Sequence, residues 1–101
     1  MSAEVRRALD ERWPRVREAA RAHLKLIEEV GNPAQRIAAR SAAHKLSGSL
    51  GMFGRRDASS VALAIEDLLG SDLTASSRGE LRTLVARLEQ MIGPDESRPG
   101  G

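Results

Sequence analysis

A chain of 101 residues can hold one small domain with a single modest core. It has no cysteine, which excludes disulfides and thiolate metal sites, and no apolar run long enough for a transmembrane helix or a signal-peptide core. The net charge is only +2 but uneven: residues 1–56 hold 12 Lys/Arg and 6 Asp/Glu, and residues 57–101 hold 4 and 8. A basic half suits an acidic protein partner or nucleic acid, or is an ordinary solvated helix surface. A soluble cytoplasmic protein is the expectation. Ala, Leu, Arg and Glu dominate, tyrosine is missing, and Trp13 and Phe53 are the only aromatics, so composition favours an all-helical fold.

Residues 1–12 read as a short helix, with Val5 and Leu9 at i, i+4 spacing. Pro14 either begins the next helix or kinks a longer one; we take it as a beginning, which makes the first segment a short extra helix. The main first helix then runs from Pro14 to about Val30 on a stripe of Val16, Ala20, Leu24 and Ile27, with Gly31 as its stop. Asn32-Pro33 starts the second helix, Asn32 as N-cap and Gln35 closing a capping box, and the helix runs to about Leu50. Gly51-Met52-Phe53-Gly54 is the turn, with Phe53 plugging the bundle end. Asp57 caps a third helix with the stripe Ala58, Val61, Ala62, Ile65, Leu68 and Leu69. Residues 70–76 form a loop, and Ser77-x-x-Glu80 is a second capping box. The last helix carries Leu81, Leu84, Val85, Leu88, Met91 and Ile92, and Gly93-Pro94 stops it. The expected architecture is an all-α, antiparallel up-and-down four-helix bundle over residues 1–92, followed by a tail at 93–101. The linker-like tail allows attachment to a larger protein, while the start at Met1 favours a free-standing one.

So simple a bundle offers no deep pocket, so function belongs on an exposed helix face. The second helix has one. Ala39, Ala42, Leu46 and Leu50 gather on the side opposite His44 and form its core face. His44 then faces solvent among Ile37, Arg40, Ser41, Ser47, Gly48 and Gly51. Gly48 is unfavourable inside a helix by roughly 1 kcal/mol relative to alanine, and it leaves room for something large to approach the imidazole.

Ala43-His44-x-Leu46-x-Gly48-Ser49, followed by Phe53-Gly54, resembles the signature of histidine-containing phosphotransfer (HPt) domains. The resemblance implies a four-helix scaffold whose histidine carries a phosphoryl group between receiver-domain aspartates, or from a sensor histidine kinase to a response-regulator receiver. It implies a covalent carrier rather than an enzyme. No cofactor is expected in this chain, the magnesium ion and the aspartates coming from the receiver. The family often has lysine three residues after the histidine; that position here is Ser47, and the nearest cation is Lys45.

The chemistry agrees with the pattern. An imidazole of ordinary pKa, about 6.5, is a neutral nucleophile at physiological pH. Phosphoryl transfer to it needs positioning and charge neutralisation. His44 is the expected acceptor. Lys45 and Arg40 are expected to supply charge, Ser47 a hydroxyl for a phosphate oxygen, and Gly48 clearance. Ile37, Ser41 and Gly51 complete the docking strip, and Arg55 and Arg56 extend a positive rim. Glu66 either orients the His44 ring from the third helix or is a plain boundary carboxylate. His23, inside the first helix's stripe, reads as a core or boundary histidine. Two histidines without His-x-x-x-His spacing disfavour zinc, and Ser41 or Ser47 with His44 lacks the third group and oxyanion hole of a hydrolase. The competing reading is a helical adaptor or basic nucleic-acid-binding bundle. It is weakened because the arginines at 6–21 are mixed with acids and no aromatic stacking set accompanies them.

Overall fold

The computed structural model describes residues 2–93. Among them lie four α-helices and no strand: α1 (Ala3–Glu28), α2 (Pro33–Met52), α3 (Arg56–Leu68) and α4 (Ala75–Ile92). Each helix packs on its neighbours in sequence, and α4 closes the ring against α1; the α2–α3 interface is the most extensive. Leu24, Ile27, Leu46, Leu50, Ile65, Leu69 and Leu88 are fully buried at the centre. Ala39, Ala43 and Ala62 have no exposed surface, and such small side chains let neighbouring helices come close. No helix among the described residues is long and apolar enough to cross a membrane. Of the expected tail at 93–101, only Gly93 falls within the described residues.

The expected extra N-terminal helix does not exist. α1 is continuous, opened by Ser2, whose hydroxyl accepts from the Val5 amide at 3.2 Å, and Pro14 lies inside it. A proline within a helix costs about 3 kcal/mol, because it has no amide for the carbonyl four residues back. The residue before it helps to offset that cost. Trp13 packs on Phe53 with ring centroids 5.8 Å apart, and the Arg55 guanidinium lies 3.5 Å over the Trp13 ring. These contacts tie the middle of α1 to the α2–α3 turn. Phe53 is half-buried and packs against Trp13.

Helix ends follow local chemistry, with shifts. α1 ends at Glu28 rather than at Gly31, which has no left-handed backbone. The Asn32 carboxamide accepts from the Gln35 amide at 2.8 Å, as expected, but Gln35 reaches back one residue further, to the Gly31 amide at 2.7 Å. Between α2 and α3, Gly54 takes φ of 75°, the Gly54 amide donates to the Gly51 carbonyl at 3.0 Å and the Arg55 amide to that of Leu50 at 2.9 Å. This Schellman closure delivers the chain to α3 early, so Arg55 is the N-cap and Asp57 sits in the first turn, where a carboxylate favours the helix dipole. α4 likewise begins a turn before expectation. Thr74 and Ser77 form the capping box, not Ser77 and Glu80, because Thr74 already accepts from the Ser77 amide at 3.1 Å. Arg36 fastens α2 to the end of α3, donating to the Leu69 carbonyl at 2.8 Å with Asp72 at 3.6 Å. Arg21 donates to the Gly93 carbonyl at 3.2 Å, and Arg78 to that of Val30 at 3.4 Å.

Where α1 meets α4, two carboxyls stand together. The hydrogen bond with Glu89, reinforced by partial burial and by the charges of Glu89 and Glu29, pushes Glu28 from the ordinary 4.5 up to about 7. The folded chain thus holds a proton that the unfolded chain releases near 4.5. The stability gained is complete below that value and is lost as pH rises through about 7. In dilute protein the melting temperature is expected to fall over this interval, and Glu28→Gln to flatten the fall. Thermal melts across the interval check this; an unchanged slope in the variant would refute it.

Candidate functional site

The site is built on the middle of α2. Ala39, Ala42, Ala43, Leu46 and Leu50 are each at most 4% exposed, so this face of the helix is committed to the core. At 100° per residue, burial of Leu46 turns position 44 outward. The His44 side chain is 74% exposed. Its Nδ1 lies 3.1 Å from Oε1 of Glu66, which projects from α3 and is only 20% exposed. An ionised carboxylate can only accept, so this contact places the proton on Nδ1 and leaves the Nε2 lone pair free. Glu66 thus lies within hydrogen-bond distance of the ring from α3.

The two flanks of the ring differ. On the α3 side, a shallow hollow beside His44 is lined by Ile37, Arg40, Ser41 and Glu66, and it ends at Leu69 and Gly70. Arg40 leans across this end: a Cβ added to Gly70 would lie 3.7 Å from its Nε. On the other side, Lys45 is exposed and faces α1. The His23 pKa is lowered, first by burial and then by the Lys45 charge. Half-buried His23 is thus a boundary residue, as its place in the stripe implied. Ile37 is 68% exposed, and Ser41, Gly48 and Gly51 are also exposed. A Cβ on Gly48 would meet nothing within 4 Å, so no contact among the described residues requires a glycine there.

Two expectations fail. Ser47 is only 7% exposed, and its hydroxyl donates to the His44 carbonyl at 2.7 Å. It lies on the flank of α2 that α3 covers, where the Ser59 hydroxyl donates to the Ser47 carbonyl at 2.8 Å. Its side chain is thus turned into its own helix instead of toward an incoming phosphate. Arg55 is held over Trp13, so it serves α1 rather than a rim around His44; Arg56 remains exposed.

Sequence reasoning also missed two surface residues. Met52, at the end of α2, is 74% exposed, and Leu63, one turn before Glu66 on α3, is 49% exposed. Both carried a signal. Leu63 falls off the apolar stripe of α3, and continuing the α2 wheel two residues past Leu50 puts Met52 on the side of Lys45. Of the exposed apolar residues, Ile37 lines the hollow beside His44.

The site is therefore an accessible imidazole with a fixed tautomer, clear space one turn away, cations on two sides and apolar residues beyond. Such an arrangement can exchange a group with another macromolecule docked over it, and the hollow beside the ring is open to solvent. The family model of the Hpt domain matches residues 6–93, from the first turns of α1 through the end of α4. No curated protein and no solved structure matches the chain. A match over most of its length, on four helices that hold one histidine out to solvent, shows that the chain belongs to the Hpt domain family, whose members serve histidine phosphotransfer in phosphorelays.

Proposed function

We propose that His44 is the phosphoacceptor of this chain, taking a phosphoryl group at Nε2 from a receiver-domain aspartate, or from a sensor histidine kinase, and passing it to another receiver. The observation that carries the reading is the exposed His44 ring with Nδ1 held by Glu66. In the forward step the Nε2 lone pair attacks phosphorus in line. The nitrogen–phosphorus bond forms as the phosphorus–oxygen bond to the aspartate breaks, and the carboxylate leaves with the electron pair. The ring keeps its Nδ1 proton and gains positive charge, which the Glu66 carboxylate offsets, much as a buried aspartate serves the imidazolium of a hydrolytic triad. Transfer onward is the same step reversed, and no proton has to leave the site.

The receiver contributes the magnesium ion and the catalytic aspartates; this chain contributes the nucleophile, its orientation and the docking face. In that sense it is a carrier and not an enzyme. Lys45 and Arg40 supply positive charge on opposite flanks of the ring, which draws an acidic cleft toward it. Ile37, Ser41, Gly48 and Gly51, joined by Met52 and Leu63, form the contact surface. We further read residues 1–92 as one domain acting in the cytoplasm, its helices running antiparallel, up and down. Short connections and the Arg21–Gly93 and Arg78–Val30 contacts support that order.

Incubation with a phosphorylated cognate receiver tests the assignment directly. Label is expected on the parent chain and none on His44→Gln; equal labelling would overturn it. Gly48→Ala is expected to raise the melting temperature by about 5 °C, since the substitution favours the helix by roughly 1 kcal/mol and meets no neighbour. The same variant is expected to bind the receiver more weakly; unchanged affinity would show that clearance over Gly48 is not used. Glu66→Ala is expected to slow transfer about tenfold while leaving receiver affinity alone, the kinetic counterpart of about 1.5 kcal/mol for a charge-assisted hydrogen bond. An unaltered single-turnover rate would reduce Glu66 to a bystander.

A further inference from the structure

The chain has a second face that its phosphotransfer chemistry does not use. A groove of about 310 Å³ runs between α1 and α4, floored by Ile27, Val30, Leu81 and Val85. These helices share the least extensive of the four interfaces in the bundle. Glu28 and Glu89 stand together on the rim, while Arg78 and Arg82 line the same groove nearer the start of α4. Arg78 is engaged with the Val30 carbonyl. The two glutamates line the groove together, and among the described residues neither has a salt-bridge partner.

At 100° per residue, Gly79 and Ala86 fall on one side of α4, next to this groove. Gly79 lies inside α4, half-exposed, and a Cβ there would meet nothing within 4 Å. As with Gly48, alanine would favour the helix by roughly 1 kcal/mol, and no contact among the described residues requires the glycine. Ala86, two helical turns further along the same side, also lines the groove. Another helix can therefore approach α4 closely here.

We infer that the α1–α4 face is a self-association surface, on which a second copy of this chain docks about a two-fold axis with the two α4 helices crossing antiparallel at Ala86. The charges argue for a second copy over a foreign partner. Arg82 and Glu89 are seven residues apart, about 10 Å along one side of the helix. A two-fold axis midway between them sets each Arg82 against the other copy's Glu89, twice over, with Glu28 beside it. A face that carries both signs in this order is complementary to itself, and the arrangement sets a cation beside a carboxyl pair that has none among the described residues of one chain. His44 leans toward α3 and shares no residue with this groove, so both imidazoles of the pair stay accessible.

Sedimentation velocity on the full chain, from about 5 to 300 µM, tests the proposal. A dimer fraction that grows with concentration is expected. Arg82→Glu and Glu89→Arg, each at an exposed position, are each expected to weaken the dimer at least tenfold by setting like charges face to face. Mixing the two variants in equal amounts, or combining both changes in one chain, is expected to restore it. Phosphoryl uptake at His44 stays at the parent level in all of them. A chain that remains monomeric at the highest concentration, whatever else the groove then binds, overturns the proposal. So does a dimer that neither charge reversal weakens, or one that the paired reversals fail to restore.

Discussion

Burial of one face of α2 sets the terms for the rest of the structure. Leu46 and Leu50, with the alanines at 39, 42 and 43, are packed into the core, and truncating such a leucine to alanine costs about 2–5 kcal/mol. Rotating α2 to hide His44 would bring those side chains to the surface, which the marginal stability of so small a domain cannot sustain. The alanines matter as much as the leucines. Their size lets neighbouring helices approach, so a carboxylate on α3 reaches the ring of His44 and a serine on α3 reaches the carbonyl of Ser47.

That close approach gives the outer face of α2 two unlike sides. Toward α3 the imidazole finds a hydrogen-bond acceptor, and the neighbouring Ser47 is covered. Toward α1 it has Lys45, whose charge is also felt by His23. The acceptor favours the tautomer with its proton on Nδ1, which leaves the Nε2 lone pair turned outward. A cation alone could not do this, since a lysine beside the ring offers nothing to which Nδ1–H can donate. The placement of α3 is thus a chemical as well as a structural matter.

The α1–α4 side stands in contrast. Both helices bury good apolar stripes, yet two carboxyls meet at their seam, and Gly79 leaves the adjoining surface of α4 bare. Around His44, charge and clearance are turned outward, away from the core. Between α1 and α4 the same two devices recur with both signs of charge present, which is why a copy of the same surface fits them.

Periodicity in the sequence determined much of this protein. The alternation of alanine, leucine and polar residues from Ala39 to Leu50 specified a helix and its buried side, and with them the exposure of His44. Asn32-Pro33 and Gly93 marked helix ends through backbone chemistry that acts within a few residues. Other outcomes depended on groups far apart in the chain. Pro14 reads locally as a break, but Trp13 is held by Phe53 and Arg55, some forty residues away, and the helix continues. Ser47 reads as exposed because a helical wheel has no neighbours; α3 covers it. The meeting of Glu66 with His44, like that of Glu28 with Glu89, required knowing which helices lie side by side and at what height. A helix's own residues settle which of its sides avoids water, whereas what stands opposite each residue is settled only when the helices pack.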